Sequence, residues 1–84
     1  MLTIRFFSLI RERLNIGEMH IEWQEQLSTV AAIKEHLVET HDDTWREVLF
    51  QPNVVHALNQ RVVFPDTSVQ DGDEVAFFPP MTGG

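Results

Sequence analysis

The residues with the clearest chemical potential form the C-terminal run Phe78-Pro79-Pro80-Met81-Thr82-Gly83-Gly84. Proline has no N–H and holds φ at about −65°, so a strand cannot carry its ladder through Pro79 and Pro80. Phe78, preceding a proline, is driven to an extended conformation. A tail over residues 79–84 that leaves in a set direction reaches about 20 Å at roughly 3.3 Å per residue. Gly83 and Gly84 remove every Cβ beside the terminal carboxylate, so a narrow tunnel in another protein could admit them and bring the last carbonyl to a reacting centre. Terminal glycines also occur at frayed chain ends. A rigid Pro-Pro exit straight from a strand favours insertion over fraying.

Elsewhere the usual catalytic sets are absent. There is no cysteine, which excludes a disulfide scaffold, a thiolate zinc site, an iron–sulfur cluster and side-chain thiol chemistry. Ser8, Ser28 and Ser68 have no Gly-x-Ser-x-Gly context, and the first two fit helix caps. His20, His36, His41 and His56 form no ligand motif; His36 and His41 are five residues apart, off the i, i+4 face a metal pair would need. All four read as surface or partly packed histidines. The four glycines build no phosphate loop, and the carboxylates scatter over helix starts, strand faces and turns. No metal site and no side-chain active site are expected.

Composition points the same way. The 84 residues carry 13 acidic and 6 basic side chains, a net charge of −7 with histidine neutral. That balance opposes nucleic-acid binding, which needs Lys and Arg against phosphates, and suits a basic protein partner. The length allows one domain with a small core. No apolar stretch is long enough to span a bilayer, and the N-terminus lacks a signal-peptide pattern, so no membrane association and a cytoplasmic location are expected.

The elements that must position the tail follow from periodicity. Residues 1–7 alternate, with Leu2, Ile4 and Phe6 on one face and Thr3, Arg5 and Phe7 on the other, which predicts a strand. Ser8 is a candidate N-cap for a short helix holding Ile10 and Leu14, ended by Asn15-Ile16-Gly17. Residues 18–23 alternate with Met19, Ile21 and Trp23 inward. Ser28 or Thr29 caps the main helix, about three turns from Thr29 to Glu39, with Val30, Ile33 and Leu37 inward and Lys34, Glu35 and Glu39 outward. A second piece starts at Asp42-Asp43-Thr44, where Thr44 and Glu47 fit a capping box and Trp45, Val48 and Leu49 face inward. Strands over 54–58 and 61–64 join through an Asn59-Gln60 hairpin turn. After the Asp71-Gly72-Asp73 turn comes a last strand over 74–78. The class is α+β, a mixed sheet of about five strands on one main helix with short additional helices. The division is a domain over residues 1–78 and an extended tail over residues 79–84.

Phe7 and Phe78 fall opposite the core set of Ile4, Phe6, Val75 and Phe77. Helices can cover only one face of so small a sheet. Phe7 and Phe78, with Val62, are therefore expected on an exposed apolar patch beside the tail, the mark of a protein interface.

The ending Asp71-Gly72-Asp73-Glu74-Val75-Ala76-Phe77-Phe78-Pro79-Pro80-Met81-Thr82-Gly83-Gly84 resembles the small subunits of molybdopterin synthase. Phe6-Phe7 closing the first strand, Arg11-Glu12, and Ala57-Leu58-Asn59-Gln60 fit the same family, so the likeness spans the chain. It implies a β-grasp, ubiquitin-like fold and a sulfur carrier acting in molybdenum cofactor biosynthesis. An E1-like adenylyltransferase would consume ATP to adenylate the Gly84 carboxylate. A sulfurtransferase or cysteine desulfurase would then supply the sulfur of a thiocarboxylate. The tail residues Pro79, Pro80, Met81, Thr82 and Gly83 would enter the large subunit, with Phe7, Val62 and Phe78 as docking contacts. There the sulfur would pass to cyclic pyranopterin monophosphate, within a heterotetramer of two small and two large subunits. Met81 stands where the family has a small β-branched aliphatic residue; its flexible thioether can still thread. No cofactor is expected on the chain itself, which would be a synthase subunit and not an enzyme alone. Gly-Gly endings are shared by thiamine sulfur carriers and ubiquitin-like modifiers, which remain the alternatives.

Overall fold

Leu2, Ile4 and Phe6 are buried while Thr3 and Arg5 between them are only partly so, the two-residue period of a half-covered strand. They belong to β1 (Leu2–Phe6), which is followed by α1 (Ser8–Leu14), β2 (Glu18–Ile21) and a 3-10 turn (Glu25–Leu27). Next come α2 (Val30–Glu39), α3 (Asp43–Leu49), β3 (Val55–Leu58), β4 (Arg61–Val63) and β5 (Glu74–Phe78). The computed structural model describes residues 1–80. The five strands form one mixed sheet in the order β2-β1-β5-β3-β4. β1 and β5 are parallel at its centre, and every other pairing is antiparallel. The fold class is the α+β arrangement that the periodicity implies.

One face of the sheet carries the core. Phe6 stacks at 5.9 Å on Phe77 and meets Trp45 of α3 edge-on at 5.4 Å. Val30, Ile33 and Leu37 of α2 and Val48 and Leu49 of α3 complete this cluster. α2 starts where expected: the Thr29 hydroxyl accepts the Ala32 N–H at 3.0 Å, satisfying a donor that the first turn leaves free. The β3–β4 turn has Asn59 at φ 49° and Gln60 at φ 70°, the left-handed pair that matches hairpin twist. Asn59 also accepts the Glu74 N–H at 2.9 Å and donates to Asp73 at 3.0 Å, tying the hairpin to the start of β5.

Three local expectations are corrected. Ser8 is not an N-cap: Phe7 holds that position without a side-chain bond, and Ser8 lies at φ 52° inside the first turn. Asp42, not Thr44, caps α3, accepting the Thr44 N–H at 3.0 Å. Its carboxylate at the helix N-terminus is the stronger acceptor. Lys34 is not outside but 8% exposed, because it lies four residues from both Val30 and Val38 on the buried row of α2. Its Nζ sits 3.1 Å from Nε2 of His56 and 4.4 Å from the Phe50 ring centroid.

His56 is thus buried more deeply than the sequence suggested, on the core side of β3 and opposite Phe77. Burial, then the Lys34 charge, pushes its pKa down to about 4, and burial also lowers that of Lys34. A neutral His56 can accept at Nε2 from the Lys34 ammonium. The unfolded chain therefore binds more protons than the folded one between about pH 6.5 and about pH 4, and stability falls as pH drops through that window. Thermal unfolding of wild type and His56→Gln across this range should show the wild type losing more. A constant gap between the two would contradict this.

Candidate functional site

Phe6 pairs with Phe77 across β1 and β5, and one residue further along each chain the side chains turn to the face opposite the core. There Phe7 and Phe78 stack with ring centroids 4.5 Å apart and planes 5° from parallel. The Phe7 N–H donates to the Phe77 carbonyl at 3.2 Å, so the strand pairing itself sets the stack. The Arg5 guanidinium lies 5.0 Å from the Phe7 centroid and is held between Glu18 at 3.6 Å and Glu74 at 4.0 Å. Register extends the face outward, placing Val55 opposite Phe78, and Ala57 opposite Ala76 on one side and Val62 on the other.

The three expected docking residues therefore share one face. Phe7 and Phe78 are half-buried by their mutual stack, and Val62 is 77% exposed. None of them belongs to the core cluster. Pro79 and Pro80 follow β5 directly and are half-buried. Met81, Thr82, Gly83 and Gly84 lie outside the described residues.

Sequence reasoning did not single out the surroundings of the two prolines. Leu9, Glu12 and Arg13 of α1, with Gln51, line a cavity of about 420 Å³ against Pro79 and Pro80. Leu9 is 65% exposed; its place beside inward-facing Ile10 was the available signal. Arg5 was the other omission; alternation put it on the same face as Phe7, two residues along the strand, which was the available signal. Among the described residues no three His, Asp or Glu side chains gather as metal ligands. No helix there is long and apolar enough to cross a membrane. The site therefore offers an apolar docking face, a directed exit and a cavity at its foot.

A family model described as the ThiS family matches residues 4–84. The chain belongs to the ThiS family. Among its relatives are the molybdopterin synthase sulfur carrier subunits of Haemophilus influenzae and Escherichia coli, 36% and 38% identical over 84 residues that cover 100% of each chain. Among solved structures, a Haloferax volcanii protein termed SAMP1 superposes with a TM-score of 0.82 at 20% identity, covering 99% of this chain and 98% of that one. The complex of subunits 1 and 2 of molybdopterin-converting factor from Helicobacter pylori gives 0.66 at 24%, covering 99% and 97%. The fold of this ThiS-family chain is accordingly the ubiquitin-like β-grasp.

The two faces of β5 should respond differently to truncation. Phe77→Ala empties the core and should cost about 3–5 kcal/mol. Phe78→Ala loses mainly a half-buried stack outside the core and should cost about 1 kcal/mol. Urea unfolding of both variants checks this, and equal losses would place Phe78 in the core.

Proposed function

We propose that this chain is the sulfur-carrying small subunit of molybdopterin synthase, with the Gly84 carboxylate as its reactive group. The observation that carries the reading is the full-length identity of 36–38% with two sulfur carrier subunits. The geometry supports it. β5 is hydrogen-bonded on both sides, by β1 and β3, so the tail starts from a fixed point beside Phe7 and Phe78.

A carboxylate is a poor electrophile. On this reading an E1-like adenylyltransferase joins a Gly84 carboxylate oxygen to the α-phosphorus of ATP, and pyrophosphate leaves. The outer persulfide sulfur of a sulfurtransferase or cysteine desulfurase then displaces AMP, and a second thiol cleaves the acyl disulfide so formed, freeing a thiocarboxylate and leaving a disulfide on the donor. The resulting thiocarboxylate is ionised at neutral pH and is a good nucleophile, which a cysteine-free chain otherwise lacks. The chain binds the large subunit through Phe7, Val62 and Phe78. It threads Pro79, Pro80, Met81, Thr82 and Gly83 into that subunit and delivers its sulfur to cyclic pyranopterin monophosphate. One chain carries one sulfur, so two deliveries complete a dithiolene. ATP is consumed by the activating enzyme, and no cofactor is assigned to this chain. The pocket's acids, bases and phosphate site fall to the large subunit, whose basic character the charge of −7 suits. The residues 1–78 act as platform, the residues 79–84 as arm, and the chain works in the cytoplasm.

Likeness to SAMP1 at 20% identity is a likeness of fold and does not favour a modifier role. Intact mass after co-expression with the activating enzyme and sulfur donor tests the assignment. An oxygen-to-sulfur mass difference that disappears when Gly84 is deleted is the expected result. An amide-linked heavier species would contradict it, as would an unmodified chain beside an active adenylyltransferase.

A further inference from the structure

Phe64 is 80% exposed, the most exposed large apolar side chain among the described residues. It sits just past β4, and three observations set its position. Val63 packs against the core while Val62 does not, so alternation sends Phe64 to the same face as Val62. His56 pairs with Val63 and Val55 pairs with Phe78, so the next position along the chain, Phe64, comes level with Val55. Pro65 then keeps Phe64 extended.

The backbone at Phe64 is held firmly for an exposed residue. Its carbonyl accepts the Thr67 N–H at 3.0 Å, closing a turn. The Pro65 and Thr67 carbonyls in turn accept the Ala31 and Val30 N–H groups at 2.7 and 3.1 Å. The loop is therefore pinned to the first turn of α2. An apolar side chain exposed on a pinned backbone spares the cost of ordering the loop on binding, which suits it to be an anchor.

We infer that Phe64 is a docking anchor for the synthase large subunit, extending the row Phe7–Phe78–Val55 to the β4 edge of the sheet. The inference rests on the function proposed above. The occupant follows from continuity with the tail: a partner that takes in residues 79–84 abuts the end of the sheet where this row runs. Direction follows from the two flanks. Toward β2 the same face carries Arg5, Glu18 and His20, whereas toward β4 it carries Val62 and Phe64. The large subunit's apolar footprint therefore spreads over the β4 edge and stops short of β2. A second copy is a poor occupant, because two chains of net charge −7 repel.

The test is the affinity of wild type, Phe64→Ala, Phe78→Ala and His20→Ala for the cognate large subunit, by titration calorimetry. Phe64→Ala should weaken binding roughly tenfold with an unchanged melting temperature, and His20→Ala should bind like wild type. Wild-type affinity in Phe64→Ala alongside a weakened Phe78→Ala overturns the Phe64 assignment alone. Absence of binding by the wild type removes the functional reading beneath it as well. A wild-type homodimer that Phe64→Ala dissociates, with large-subunit affinity unchanged, assigns Phe64 to self-association and overturns the inference.

Discussion

The parallel pairing of β1 with β5 at the centre of the sheet sets everything that depends on position in this molecule. It brings residues from the two ends of the chain into register and gives each strand two faces with different work. Phe6 and Phe77 point to the helices, where full burial of each side chain contributes about 2–3 kcal/mol. Phe7 and Phe78 point away and stack on each other. Because β5 is flanked by β1 and β3, it is held on both sides as far as Phe77, and Phe78 still pairs with Val55 of β3. An edge strand would have left the exit free to fray. The two prolines then end the ladder at a fixed place.

A chain this small has material for one core, and it spends that core on one face of the sheet. The opposite face lies outside that core, with Arg5 between Glu18 and Glu74 on one flank and apolar residues on the other. Sulfur chemistry without cysteine is consistent with this economy. The reactive group of the proposed carrier is a backbone carboxylate, so the platform needs no catalytic side chains and only has to aim the tail.

Much of this was legible in the residues. Alternation found the strands because each has one covered face, and Leu2, Ile4 and Phe6 are buried as expected. Thr29 and Asn59-Gln60 were legible because caps and left-handed turns demand particular side chains. The shared face of Phe7, Val62 and Phe78 followed from strand parity. Lys34 was misjudged because residue type was weighed above helical spacing, and His56 because residue type was weighed above strand parity. A lysine on a buried row is tolerated only when a neutral acceptor and an aromatic face meet it, and nothing local announces a partner 22 residues away. Phe64 was passed over because its exposure depends on where β4 lies in the sheet. The cavity beside Pro79 and Pro80 needs α1 and Gln51 in place before it exists.

The central claim is that Gly84 carries sulfur into a pocket supplied by another chain. A single-turnover reaction tests it most directly, combining the thiocarboxylated protein, the large subunit and cyclic pyranopterin monophosphate, with the mass of the small chain followed over time. The account requires the sulfur to leave Gly84, the carboxylate to return, and two carriers to be consumed for each dithiolene formed. A thiocarboxylate that persists beside a competent large subunit, or a chain that ends in amide linkage to lysines, would contradict it.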